Sequence, residues 1–120
     1  MATPGKWSIE FYGEAVRREF RGLPDDMRAF FHSICKLIQD VGLENVGMPY
    51  IGPLENCKGL WEMRLRGQAG IARAVYATQK GKKIVVLRVF IKKTQKTPKN
   101  ELDICKQRQR ELENEKANQR

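Results

Sequence analysis

From Trp61 onward, Trp61-Glu62-Met63-Arg64-Leu65-Arg66 alternates strictly between apolar and charged side chains, the pattern of a strand with one buried face. It assigns Trp61, Met63 and Leu65 to a core, and Glu62, Arg64 and Arg66 to the opposite side. Two more strand-like runs follow, residues 71–77 and 84–91, through turns at residues 67–70 and at Lys80-Gly81-Lys82. Connections this short imply antiparallel neighbours, so residues 60–91 predict a three-stranded meander.

Upstream, Glu44 to Gly59 is rich in Gly, Pro and Asn and reads as an irregular connection. Before it, Met27, Phe30, Phe31, Ile34, Leu37, Ile38 and Val41 follow a helical period over four turns, closed by Gly42. Ala15, Val16, Phe20 and Leu23 mark a shorter helix, ended by Gly22 and Pro24, with Asp25 and Asp26 opening the next. The two helices form a hairpin whose apolar side needs a sheet. Trp7-Ser8-Ile9-Glu10-Phe11 alternates as a leading strand. Downstream, Thr97-Pro98 suits the start of a last helix with a thin apolar side of Leu102, Cys105 and Leu112, fraying after Glu113. The expected order is β-α-α-β-β-β-α, an α+β fold with a small, mainly antiparallel sheet and the helices on one face. Residues 7–112 form the domain, 1–6 a flexible lead and 113–120 a frayed tail.

A chain of 120 residues with 41% apolar content supports one domain with one core. No apolar run nears the roughly 18 residues of a membrane span, and the first six residues lack the apolar centre of a signal peptide. The expected setting is the cytoplasm. Cys35, Cys57 and Cys105 are odd in number and widely spaced, which fits reduced thiols filling space better than a disulfide framework or a zinc site.

The charge is unevenly placed. Of 23 Lys and Arg residues, twelve lie between Lys58 and Lys99, against a single acid, Glu62, whereas the rest of the chain is slightly acidic. A positive field confined to one segment attracts polyanions, and nucleic acid is the commonest of these. If the helices cover one sheet face, the other can gather Arg64 with Arg73 or Arg88, and residues 92–96 at its rim. Arg73 reads in phase with Ile71 and Val75, Tyr76 on the other side, and Arg88 in phase with Val86 and Phe90.

The usual catalytic sets are missing. His32 is the only histidine and sits mid-helix, where a surface or packing role is expected. There is no phosphate-binding loop, dinucleotide fingerprint or nucleophile elbow. A convergent carboxylate set for metal catalysis is not available in the basic segment, so no metal or cofactor is expected. RNA, however, carries its own nucleophile, the 2′-hydroxyl. A protein cutting it need only orient the chain, take a proton and neutralise the phosphate. Arginine binds two phosphate oxygens at once, and a lysine crowded by cations can serve as base.

Gly59-Leu60-Trp61-Glu62-Met63-Arg64, Ala72-Arg73-Ala74-Val75-Tyr76 and Phe90-Ile91-Lys92-Lys93-Thr94-Gln95-Lys96-Thr97-Pro98 together resemble the RelE/HigB-like toxins of type II toxin–antitoxin systems, closest to their phage-derived branch. The resemblance covers roughly residues 7–112. It implies a RelE-like fold, an antitoxin partner, often a helix-turn-helix protein, and metal-independent cleavage of messenger RNA on the ribosome. Carried over by position, Arg73 is expected to hold the scissile phosphate and Arg64 to support it, with Lys92 and Lys93 as further catalytic cations. Arg66, Arg88, Lys82, Lys83, Lys96 and Tyr76 are expected to bind RNA. Where the branch often has a histidine before the Phe-x-Lys-Lys block, this chain has Arg88, which leaves Tyr76 or a lysine as the acid. The other reading is a non-catalytic clamp, or an inhibitor of the gyrase-poisoning kind, on the same fold.

Overall fold

The computed structural model describes residues 6–118. The meander forms as the alternation predicts: β3 (Trp61–Gly67), β4 (Gly70–Gln79) and β5 (Lys83–Lys92) are consecutive antiparallel neighbours. A strand is added at each edge. β1 (Ser8–Phe11) lies parallel to β5, and a short β2 (Ile51–Pro53) lies antiparallel to β3, giving the order β1-β5-β4-β3-β2.

β2 corrects the reading of residues 44–59 as wholly irregular. Its three residues pair with Met63, Glu62 and Trp61, too few to show a period in the sequence. A 3-10 turn at Leu43–Asn45 precedes it. β1 carries too few residues to stand alone and is held by its pairing to residues 83–86.

α1 (Glu14–Arg21) and α2 (Asp25–Val41) cover one sheet face. Val16 and Phe20 from α1, and Met27, Phe31, Ile34 and Ile38 from α2, pack on Met63, Leu65, Ala72, Ala74 and Tyr76. Phe20 lies with its ring centroid 5.1 Å from Phe11 and 4.9 Å from Phe31. Gly42 ends α2 with φ 91°, where a side chain would be strained, and its N–H donates to the Ile38 carbonyl at 2.8 Å. The apolar stripe of α2 is wider than its buried part, for Leu37 and Val41 are exposed, as is Ala15 on α1.

α3 (Lys99–Asn118) lies on the opposite face. This corrects the expectation of helices on one face and of a single core. Cys105, with Leu102 and Leu112 beside it, covers a second cluster of Leu54, Leu60, Val75, Val85, Leu87 and Phe90. α3 also runs past Glu113, where fraying was expected, to Asn118. The lead at residues 1–5 and the last two residues fall outside the described part of the chain.

One strand end and one strand phase depart from simple alternation. Trp61 keeps the face of Met63 and Leu65, opposite Tyr76, but is 42% exposed; it sits at the start of β3 opposite Pro53 of the short β2. There it lines a 320 Å³ apolar groove with Trp7, Leu43, Val46 and Ile51. In β5, Val75 faces Arg88 but Tyr76 faces Val86, so Leu87 is bulged. The bulge reverses the phase: Val86 belongs to the α1–α2 core and Phe90 to the α3 core.

β1 ends where Tyr12 N–H bonds the Val86 carbonyl, leaving the outer edge of β5 open beyond it. Side chains close that edge. Glu19 on α1 accepts from the Val89 N–H at 3.1 Å, and Arg108 on α3 donates to the Leu87 carbonyl at 2.7 Å. Glu19 also pairs with Arg108 and Arg88, and Arg88 grips Glu101 through Nε and Nη2. This mostly buried charge network ties the helices of both faces to one strand.

Candidate functional site

Along the α3 face of the sheet the lining changes from apolar to cationic. The second core ends at Val75 and Phe90. In register beyond it lie Glu62 opposite Val75, Arg73 opposite both Arg64 and Phe90, and Ile71 opposite both Arg66 and Lys92. Arg64 and Arg73 are direct cross-strand partners, and Lys92 is the diagonal neighbour of Arg73 on the next strand. Three strands thus deliver three cations to one place.

An open depression of 490 Å³ lies over this place, lined by Ile71, Arg73, Lys92, Lys93, Thr94 and Gln95. Its wall is the segment between β5 and α3, which Thr94 Oγ1 braces by donating to the Lys96 carbonyl at 2.6 Å. A smaller crevice of 140 Å³ adjoins the same segment, between Glu55 and Asn56 on one side and Lys96, Thr97 and Leu102 on the other.

The electrostatics are unsaturated. Glu62 Oε2 lies 3.2 Å from Arg73 Nε and Oε1 lies 3.6 Å from Arg64 Nε. The alignment makes no hydrogen bond, for Glu62 Oε2, Arg64 Nε, Arg73 Nε and Arg73 Nη1 are all buried without a partner. Buried polar atoms are normally satisfied; here Glu62 Oε2 and the two Nε groups face one another as ion pairs without hydrogen-bond alignment, and Arg73 Nη1 has no partner. Arg64 leans on Met48 Sδ, and its Nη2 occupies the space a side chain at Gly52 would need.

Burial holds the Arg73 guanidinium below its ordinary value, Glu62 opposing and Arg64 adding to the effect. Arginine stays protonated regardless. The Lys92 ammonium is likewise lowered, first by burial and then by Arg73, with Arg64 reinforcing and Glu62 and Glu55 opposing. A lysine so placed releases its proton more readily than one in water.

Other expected site residues lie elsewhere. Tyr76 is 1% exposed under α1 and α2, and burial pushes its hydroxyl well above the usual tyrosine value, so it neither meets RNA nor donates a proton in the depression. Arg88 is spent in the network with Glu19 and Glu101, because the bulge turns it to the β5 edge. Lys82 and Lys83 sit at the far end of β5, about 30 Å from Lys92 at strand spacing, with Lys83 paired to Glu10 at 3.2 Å. His32 packs edge-on against Phe20 and Phe31. Arg66, Lys93 and Lys96 are exposed around the rim.

Sequence reading missed one residue, Glu62. It was visible as the lone acid of the basic segment, but its burial between two arginines was not. Among the described residues, no three His, Cys, Asp or Glu side chains gather as a metal-holding group. No described helix is long and apolar enough to cross a membrane.

The sequence model of a family described as Phage derived protein Gp49-like (DUF891) matches residues 18–110, most of the chain and every strand of the site. The chain belongs to the phage-derived Gp49-like family. The Gp49-like domain is also similar to a solved structure of the E. coli toxin RelE in the free state, a double arginine-to-alanine mutant. The TM-score is 0.56 at 15% identity, over 75% of this chain and 87% of that one. This likeness establishes a RelE-like fold. No curated protein matches the chain.

Proposed function

We propose that this Gp49-like chain is the toxin of a toxin–antitoxin pair, a metal-independent endoribonuclease that cuts messenger RNA on the ribosome and so halts translation. The observation that carries it is the convergence of Arg64, Arg73 and Lys92 from three adjacent strands, with Arg73 and Lys92 lining one open depression. A phosphodiester has the charge and the oxygen geometry to satisfy them.

In this mechanism Arg73, supported by Arg64, holds the scissile phosphate and neutralises charge growing on it. Lys92 in its neutral form takes the proton of the adjacent 2′-hydroxyl. The 2′-oxygen then bonds to phosphorus as the bond to the 5′-oxygen breaks, leaving a 2′,3′-cyclic phosphate. The Lys93 ammonium returns a proton to the departing 5′-oxygen. Arg66 and Lys96 track the flanking backbone. Such a site, without histidine, is weak alone, and a ribosome that presents strained RNA compensates. The cognate antitoxin, a helix-turn-helix protein, would hold the toxin inactive in the cytoplasm.

The test is expression in growing cells with mapping of transcript ends. New ends within coding regions should appear with the natural chain and fall about a hundredfold or more with Arg73→Ala. Undiminished cutting by folded Arg73→Ala protein refutes the assignment. A non-catalytic inhibitor is the second reading, favoured by the placement of His32 away from the site; it requires poisoned cells with intact messengers.

A further inference from the structure

Glu62 is 5% exposed, the one buried charged residue among the described part of the core, and the mechanism above leaves it without a task. Its neighbours make its place unusual. Arg64 and Arg73 stand directly opposite each other on β3 and β4, where like charges repel and long side chains splay apart. Glu62 stands two positions before Arg64 on the same face, opposite apolar Val75. From there its two oxygens divide between the guanidiniums, one reaching each Nε.

We propose that Glu62 is a positioning residue: its carboxylate, wedged against the Nε edges of Arg64 and Arg73, holds the two guanidiniums side by side so that Arg73 faces the phosphate with Arg64 braced behind it. Contact at the Nε edge leaves Arg73 Nη1 without a partner of its own, while Arg64 reaches past the carboxylate to Met48 Sδ and the backbone at Gly52. Glu62 does not line the depression that Ile71, Arg73 and Lys92 enclose, so it acts through the arginines rather than on RNA. A buried carboxylate is costly unless paired, and here the pairing and the task coincide.

The same charge reaches a third group. Lys92 feels Arg73 on β4, Arg64 and Glu62 on β3, and Glu55 in the segment between β2 and β3; of these, Glu62 and Glu55 favour the ammonium and the arginines oppose it. Removing the Glu62 charge therefore lets Lys92 lose its proton at lower pH.

This inference rests on reading the site as one that cuts RNA, so the experiment has an arm that needs no RNA. In the full-length chain, Glu62→Gln should lower single-turnover cleavage of ribosome-bound messenger at least tenfold, with a smaller change in the half-saturating ribosome concentration. The rising limb of its pH profile should move to lower pH. Glu62→Asp keeps the charge but not the reach, so it should lose rate with the limb in place. Separately, NMR titration of the Lys92 side chain should give a lower pKa in Glu62→Gln than in the natural protein, whether or not any RNA is cut. If Glu62→Gln does not fold, Glu62→Asp carries the test by its rate loss at an unmoved limb. A Glu62→Gln protein with full rate, or with an unmoved Lys92 titration, overturns the proposal. If the natural protein cuts nothing while the Lys92 titration still shifts, the nuclease reading fails and the electrostatic coupling stands.

Discussion

Lys92 shows how little separates a solvated lysine from a base. Burial at the end of β5 and the guanidinium of Arg73 both disfavour its ammonium form, and the rate of any step that needs the free amine rises as pH climbs through its lowered pKa. Lys92→Arg keeps the cation but cannot lose it. We expect that variant to bind RNA nearly as well as the natural chain while cutting about a hundredfold more slowly, with its rising pH limb gone; equal rates and the same limb would remove Lys92 from the role of base. The cations themselves were legible in the sequence because charge is written there residue by residue. Their partners were not. Arg88 looked like Arg64 until the Leu87 bulge turned it toward Glu19 and Glu101, and Tyr76 looked available until α1 and α2 covered it.

At the scale of elements, periodicity carried the reading wherever an element was long enough to repeat. α1, α2 and the meander lie where their apolar spacing put them, because burial of one face dictates that spacing. Short elements gave no such signal: β2 exists only through its pairing with β3. The side chosen by α3 was also hidden. Its thin apolar stripe of Leu102, Cys105 and Leu112 was visible, but nothing in it says which sheet face it covers. Both faces of β5 are in fact apolar from Ile84 to Leu87, and such a continuous run is the mark of a strand covered on two sides. The Glu19 network joins those two layers at the open edge of β5. Glu19→Ala would leave Arg88 and Arg108 short of a buried counter-charge and Val89 N–H without its acceptor. It should cost roughly 3 kcal/mol or more, read as a lowered urea midpoint at unchanged slope; a loss below about 0.5 kcal/mol would mean the network is no more than a surface ion pair.

For the whole molecule, the net charge of +9 is less telling than its direction. Arg64, Arg66, Arg73 and Lys92 and the cations of the β5–α3 segment gather at one end of the α3 face, while those of the β4–β5 turn lie at the other. RNA binding should therefore weaken with salt in proportion to the phosphates held at the first end alone. Lys93→Ala should reduce the logarithmic salt slope by about one phosphate's share, roughly 0.7 for a single strand, whereas Lys82→Ala should leave it unchanged. Equal effects from both would mean that RNA covers the whole molecule rather than one site.

The central claim is that Arg73 and its neighbours hold one RNA phosphate for attack by the adjacent 2′-hydroxyl. Its most direct test is the chemistry of the ends formed on a defined messenger bound to purified ribosomes, with the natural chain and with folded Arg73→Ala protein. The account predicts 2′,3′-cyclic phosphate ends with the former and almost none with the latter. Ends bearing a free 3′-hydroxyl, or cyclic ends made equally by both proteins, would contradict it.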